Sequence, residues 1–169
     1  QKADTIEAGK TAAEAIMTTD TISKQAAVSF EVGGKTVTLG GMCKGSGMIH
    51  PNMGTMLGFL TTDAAISKEL LQEALSENVV DTFNMISVDG DTSTNDTLVI
   101  LANGMAENPE IASKNEDYDK FREALNYINT TLAKMMAGDG EGATALFETK
   151  VIHAKTKEDA RKLSRSVIS

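Results

Sequence analysis

Apolar residues in this chain switch between two periods, and the switches mark out its elements. Ala26, Val28, Phe30 and Val32 alternate with their neighbours, Gly33-Gly34 follows, and Thr36 to Leu39 alternates again. Two alternating runs around Gly-Gly predict a β-hairpin. Upstream, Ile6, Ala12, Ala13, Ile16 and Met17 fall at helical spacing, with Asp4 and Glu7 near the start. Ala3 to Met17 therefore reads as an amphipathic helix, ended by Thr18-Thr19-Asp20-Thr21. Ser67 to Val80 reads as a second helix with Ser67 as its cap. Asn115 to Met136 is the longest, with Tyr118, Phe121, Leu125, Ile128 and Leu132 on one stripe and Gly138-Asp139-Gly140 stopping it. Lys157 to Ser166 opens a last helix. Strands are expected over Met56–Leu60, Thr82–Val88, Thr97–Ala102 and Leu146–Ala154, the first and third of them buried.

Helices and strands mix without strict βαβ alternation. The fold class is therefore α+β, with mixed or antiparallel sheet layers packed with helices. Gly40 to Thr55 reads as a glycine-rich loop whose only charge is Lys44. An apolar, glycine-rich loop suggests backbone packed close to other backbone or to a ligand.

Composition narrows the function classes. At 169 residues the chain has the length of one domain and can bury a core. The net charge of −8 and aromatic content of 4% argue against nucleic acid, which asks for clustered cations and stacking rings. No apolar run approaches the ~20 residues of a membrane span. One cysteine, Cys43, leaves no internal disulfide and fits a reducing compartment, so a cytoplasmic location is expected. The first residue is Gln1, and the alternation Arg165-Ser166-Val167-Ile168-Ser169 stops in mid-element, so the chain reads as the central piece of a longer protein.

Short motifs exclude more than they assign. Asp89 to Asp96 invites a calcium reading, but both registers fail. A start at Asp89 puts Thr94 at the required glycine and Ile100 at the required glutamate, and a start at Asp91 puts Asp96 and Ala102 there. An acidic turn satisfying its own backbone is the ordinary reading. Lys44 precedes Gly45, so the glycine loop is not a phosphate-binding P-loop. Ser46 is not in a hydrolase elbow, since Lys44 and Met48 stand at that motif's two outer glycine positions. His50 and His153 have no ligand at metal spacing. Cys43 reads as a small buried hydrophobe. Glu141, set among Gly138, Gly140 and Gly142, has freedom to be aimed inward, but its spacing assigns nothing.

Longer blocks assign more. Lys44-Gly-Ser-Gly-Met-Ile-His-Pro-Asn-Met-Gly-Thr55-Met-Leu, followed by Thr61-Thr62-Asp63-Ala64-Ala65, resembles the self-cleavage region of the ornithine acetyltransferases, the bifunctional glutamate N-acetyltransferases of the arginine pathway. Met17-Thr18-Thr19-Asp20-Thr21, Val88 to Thr97, and Gly140-Glu141-Gly142-Ala143-Thr144 resemble the family as well. Five blocks in the right order span most of the chain, from Met17 to Thr144.

The resemblance implies a precursor that cuts itself between Gly54 and Thr55, giving products 1–54 and 55–169 here. Position 54 is usually alanine in the family, so Gly54 departs from the pattern. Thr55 is then the nucleophile. Its freed α-amino group, with a reference pKa near ~7.7–8.0, serves as base to its own hydroxyl. Thr55 Oγ1 would take the acetyl group from N-acetylornithine and pass it to glutamate. Matched position by position, Thr18, Lys44 and Glu141 are substrate-binding residues, with Lys44 suited to a carboxylate or to developing negative charge. The resemblance implies no metal and no organic cofactor, with acetyl-CoA as a donor if the second activity is retained. It implies a heterotetramer of paired cleavage products. Oxyanion-hole residues are expected before Gln1, and the last substrate-binding residues beyond Ser169. A related self-cleaving aminopeptidase and a non-catalytic binding domain are the alternatives.

Overall fold

A computed structural model of the chain describes residues 5–50, 56–91 and 95–168. The hairpin forms as β1 (Lys24–Val32) and β2 (Lys35–Lys44). Gly33 and Gly34 connect them with φ of +55° and +77°, the paired left-handed conformation that matches strand twist in a two-residue turn. The register sets Val32 opposite Lys35 and Lys24 opposite Cys43. β2 continues past the expected end at Leu39, so Gly40 to Lys44 is strand and not loop. Pairing with β1 on one side and β3 on the other holds these glycines extended despite their weak intrinsic preference.

β3 (Leu57–Thr62) runs antiparallel to β2, from Leu57 opposite Lys44 to Thr62 opposite Leu39. β4 (Thr97–Ala102) lies parallel to β3 at the far edge, giving the order β1-β2-β3-β4. A parallel neighbour needs a crossover, and α2 (Lys68–Val79) supplies it. Ser67 caps α2 by accepting the Leu70 N–H at 3.4 Å. α1 (Ile6–Ala15) precedes the sheet, and α3 (Glu116–Gly138) and α4 (Lys157–Ile168) follow it.

The core lies between α3 and the hairpin. Tyr118, Phe121, Leu125, Ile128, Leu132 and Met136 repeat at helical spacing and are at most 2% exposed. They meet the inward row of β1, namely Ala26, Val28, Phe30 and Val32, with Val37 and Leu39 of β2. Phe30 and Phe121 pack edge to face at 6.2 Å between ring centres. Full burial of a side chain such as Phe121 contributes about 1.5–3 kcal/mol. Gly41 lets α3 come close, because a Cβ there would collide with Leu60 and press on Leu132.

Four further expectations are corrected. Thr82–Val88 is not a strand. Phe83–Met85 forms a 3-10 turn, with Met85 N–H donating to the Thr82 carbonyl at 2.9 Å and the Thr82 hydroxyl donating to Asn78 O at 2.9 Å. The backbone is satisfied locally at the end of α2, so the apolar residues need no ladder. Leu146–Ala154 is irregular, and Phe147 and Ile152 are 70% and 64% exposed. Its alternation lacks a neighbouring strand to pair with. Thr97–Ala102 is a strand but a half-covered edge one, with Leu101 64% exposed. In α1 the predicted stripe stays open: Ala13 alone is buried and Ile6 is 95% exposed. Among the described residues, no helix is long and apolar enough to cross a membrane.

Candidate active site

Three of the predicted site residues come from three separate segments and meet at one cavity. Lys44 is the last residue of β2, Thr18 lies in the turn after α1, and Glu141 follows the end of α3. With Thr19, Ser46, Gly47, Met48, Asp89 and Asp91 they line a cavity of about 340 Å³. Small-molecule sites typically hold ~300–1,000 Å³. A cavity of about 360 Å³ lies elsewhere, under Phe147 and beside α3, but its Lys134 is already paired with Glu148 at 2.8 Å.

Lys44 is 8% exposed, and its ammonium donates to Thr18 Oγ1 at 3.0 Å. Alternation along β2 puts it on the opposite side of the strand from buried Cys43, clear of the core. The Thr19 and Ser46 hydroxyls share a hydrogen bond of 2.6 Å. Glu141 is fixed through its backbone, its N–H donating to Ser46 O at 2.6 Å. Its carboxylate lies against Gly47, where a Cβ would come within 2.8–3.0 Å of it. An ammonium and a carboxylate lining one small cavity suit a zwitterion, as the α-carboxylate and α-amine of an amino acid are.

Gly54 and Thr55, the expected scissile pair, lie outside the described residues, as do Pro51, Asn52, Met53, Thr92, Ser93 and Thr94. The chain on either side of 51–55 is described, and the acidic loop holds both flanks. Asp89 accepts the N–H groups of Met48 at 2.5 Å and Ile49 at 3.1 Å. Asp96 accepts the Met56 N–H at 2.8 Å. Backbone bonds from Val88 to Ile49 O at 2.8 Å and from Thr97 to Met56 O at 3.1 Å complete the two grips. Met48 takes a left-handed φ of 57°, which this pair of bonds to Asp89 accommodates. Burial pushes the Asp89 carboxyl up, but the amides of Met48, Asp91 and Ile49 outweigh it and hold it below its ordinary value. At Asp96 burial wins over the single Met56 amide, and the carboxyl is raised. The ordinary reading of this loop, as a turn satisfying its own backbone, is thus too narrow. Among the described residues, no group of three or more His, Cys, Asp or Glu is placed to hold a metal ion.

Sequence reasoning missed a lysine. Lys24 begins the inward row of β1, has no exposed surface, and bonds Asp20 at 2.7 Å and Asp139 at 2.5 Å. The signal was present: stepping back by two from Ala26 puts a lysine on the core face of a strand, where a charge needs partners.

The family model of ArgJ matches residues 1–169. An arginine biosynthesis bifunctional protein ArgJ from Symbiobacterium thermophilum is 59% identical over 161 residues, 95% of this chain. A protein of the same name from Caldanaerobacter subterraneus is 54% identical over 96% of the chain. The chain spans about two-fifths of the length of these relatives, 40% in each case. The crystal structure of the arginine biosynthesis bifunctional protein argJ from Bacillus halodurans matches with a TM-score of 0.65 and 46% identity, over 67% of this chain and 53% of that one.

Proposed function

The chain belongs to the ArgJ family over its whole length, and on that premise we propose that it carries the nucleophile segment and part of the substrate cavity of a self-processing acetyltransferase of arginine biosynthesis. The polypeptide transfers acetyl from N2-acetyl-L-ornithine to L-glutamate. The observation that carries this reading is the convergence of Thr18, Lys44 and Glu141 on one cavity, at the end of β2 that faces the entry to β3.

The chemistry follows from the groups present. Cleavage between Gly54 and Thr55 gives products 1–54 and 55–169 and frees the Thr55 α-amine. That amine takes the proton from Thr55 Oγ1 as the oxygen attacks the acetyl carbonyl. The tetrahedral intermediate collapses with loss of the ornithine nitrogen, which leaves with a proton. Glutamate's α-amine then attacks the acetyl ester, and Thr55 Oγ1 leaves and is reprotonated. Lys44 pairs with a substrate carboxylate and Glu141 with a substrate ammonium. Acetyl-CoA serves as an alternative donor if the second activity is retained. The assembly is a heterotetramer of paired cleavage products, and the setting is cytoplasmic.

The test combines denaturing intact mass, N-terminal sequencing and an acetyl-transfer assay on a full-length family polypeptide carrying this sequence. A fragment beginning at Thr55, with acetyl transfer abolished by Thr55→Ala, is the expected result. Acetyl transfer surviving Thr55→Ala would sink the mechanism. Release of free amino acids from peptides without acetyl transfer would favour an aminopeptidase instead. Restoring alanine at position 54 separates slow cleavage caused by Gly54 from loss of activity.

A further inference from the structure

We propose that Lys24 is a positioning residue that holds the three substrate-binding segments in register around the cavity, acting through Asp20 and Asp139. This rests on the proposed role of that cavity.

Lys24 occupies a place in the sheet where its row is otherwise apolar: Ala26, Val28, Phe30 and Val32 follow it on the same face of β1. A cation there is costly unless fully partnered. Its ammonium has three protons and three acceptors, namely Asp20 Oδ1 at 2.7 Å, Asp139 Oδ2 at 2.5 Å and the Ile22 carbonyl at 3.4 Å.

Each carboxylate grips a different piece of the site. Asp20 also accepts the Gly45 N–H at 2.7 Å and the Thr18 N–H at 3.2 Å. That fixes the residue after Lys44 and the backbone of Thr18 itself. Asp139 accepts the N–H groups of Thr21 at 3.0 Å and Ile22 at 3.4 Å, and the Thr21 hydroxyl. It stands two positions before Glu141 in the chain. One buried ammonium thus joins the turn bearing Thr18, the strand end bearing Lys44 and the helix end bearing Glu141.

A purely structural ion cluster and a positioning cluster differ in their kinetics. If Lys24 only stabilises the fold, its loss lowers the amount of folded enzyme. Maximal rate then falls with the folded fraction while KM stays native. If it positions the cavity, the folded enzyme itself binds substrate poorly and KM rises.

The experiment uses a full-length family polypeptide carrying this sequence, with rates normalised to active enzyme. Lys24→Met and Asp139→Asn are compared with the parent in acetyl transfer, and L-glutamate binding is measured by calorimetry. For Lys24→Met we expect KM for both N-acetylornithine and glutamate to rise on the order of tenfold, with kcat per active enzyme within about threefold. Asp139→Asn leaves the Lys24–Asp20 pair in place, so it keeps the proposal testable if Lys24→Met does not fold. It should raise KM by about threefold or more. Lys24→Arg keeps the charge but replaces a compact ammonium by a planar fork, and should not restore KM. Unchanged KM and unchanged glutamate affinity in folded variants would overturn the proposal. A parent that binds glutamate more tightly than its variants but transfers no acetyl would overturn the proposed reaction and leave the hub standing. A parent that binds no glutamate would overturn both.

Discussion

The carboxylate of Asp96 accepts the N–H of Met56 at 2.8 Å, and that N–H belongs to the peptide bond following Thr55. Asp96 lies next to β4 and Met56 next to β3, so the bond caps the open end of the parallel pair. The Thr97 N–H returns a bond to Met56 O at 3.1 Å. Replacing Asp96 by alanine removes the acceptor and leaves a part-buried amide to find another. Asp96→Ala should slow the appearance of the Thr55 amino terminus by about tenfold, a loss of about 1.4 kcal/mol. Asp96→Asn keeps an acceptor oxygen and should stay much closer to the parent. A time course of intact mass after expression checks both.

Gly47 separates placement of Glu141 from stability of the fold. A methyl group at position 47 would stand 2.8–3.0 Å from the Glu141 carboxylate, whose atoms are its three nearest neighbours. The obstacle is the far end of a flexible side chain, which swings away at little cost. Gly47→Ala should therefore shift Tm by no more than a few degrees while raising KM for the substrate that Glu141 is proposed to hold about threefold or more. Thermal unfolding and steady-state kinetics on the same preparation decide it.

Acid should destabilise this fold through named carboxylates. At Asp20 and Asp139 burial works to raise the carboxyl pKa, but Gly45 N–H and Lys24 at the first, and Lys24 and Thr21 at the second, bring each below the ordinary 3.8. A group with a depressed folded pKa stabilises the native state above its unfolded value, and that stability is lost as pH falls through the folded value. Asp89 and Asp81 act in the same direction, the latter through Arg161 and Lys157 against its own burial. Asp96, raised by burial, acts in the opposite sense and favours the native state slightly as pH falls. Net stability measured by urea unfolding should hold from neutrality to about pH 4 and decline below it. Asp139→Asn should lie lower at pH 7 and decline less steeply in acid. A parallel decline would reject this assignment.

Cys43 should be inert in the native state. It is buried, its Sγ lies 3.8 Å from the Leu132 carbonyl, and burial pushes its thiol up to about 12. Lys24 nearby works to lower it and Asp20 to raise it, both with less effect than burial. The thiolate is the reactive form, so a thiol reagent at pH 8 should modify Cys43 only at the rate of unfolding. Mass spectrometry with and without denaturant tests this, and rapid labelling of the native chain would contradict it.

The parts of the fold that were legible in the sequence are those whose periodicity and partners coincide. In α3 every residue of the predicted stripe is buried in the core, and the hairpin announces its own turn through Gly33-Gly34. Leu146–Ala154 carries the same alternation and forms no strand, because a strand also needs an unpaired neighbour and local pattern says nothing of one. Gly40–Lys44 errs the other way, since pairing on both edges overrides glycine's weak preference. Thr18, Lys44 and Glu141 are singled out by resemblance, and no spacing rule connects residues so far apart in the chain. Lys24 was visible as a charge in an apolar row. Its role was not, because Asp139 lies more than a hundred positions away and only the fold brings it near.

The antiparallel pairing of β2 with β3 has a consequence if the chain is cut as proposed. A cut between Gly54 and Thr55 would leave β1 and β2 in one polypeptide and β3, β4 and α3 in the other. The ladder from Leu39–Thr62 to Lys44–Leu57, the Phe30–Phe121 contact and the Lys24–Asp139 ion pair would all become intermolecular. What began as intramolecular folding would end as a protein complex with a dissociation constant. Its thermal midpoint would rise with protein concentration, and once unfolded its halves would have to find each other by diffusion without the tether that first brought them together.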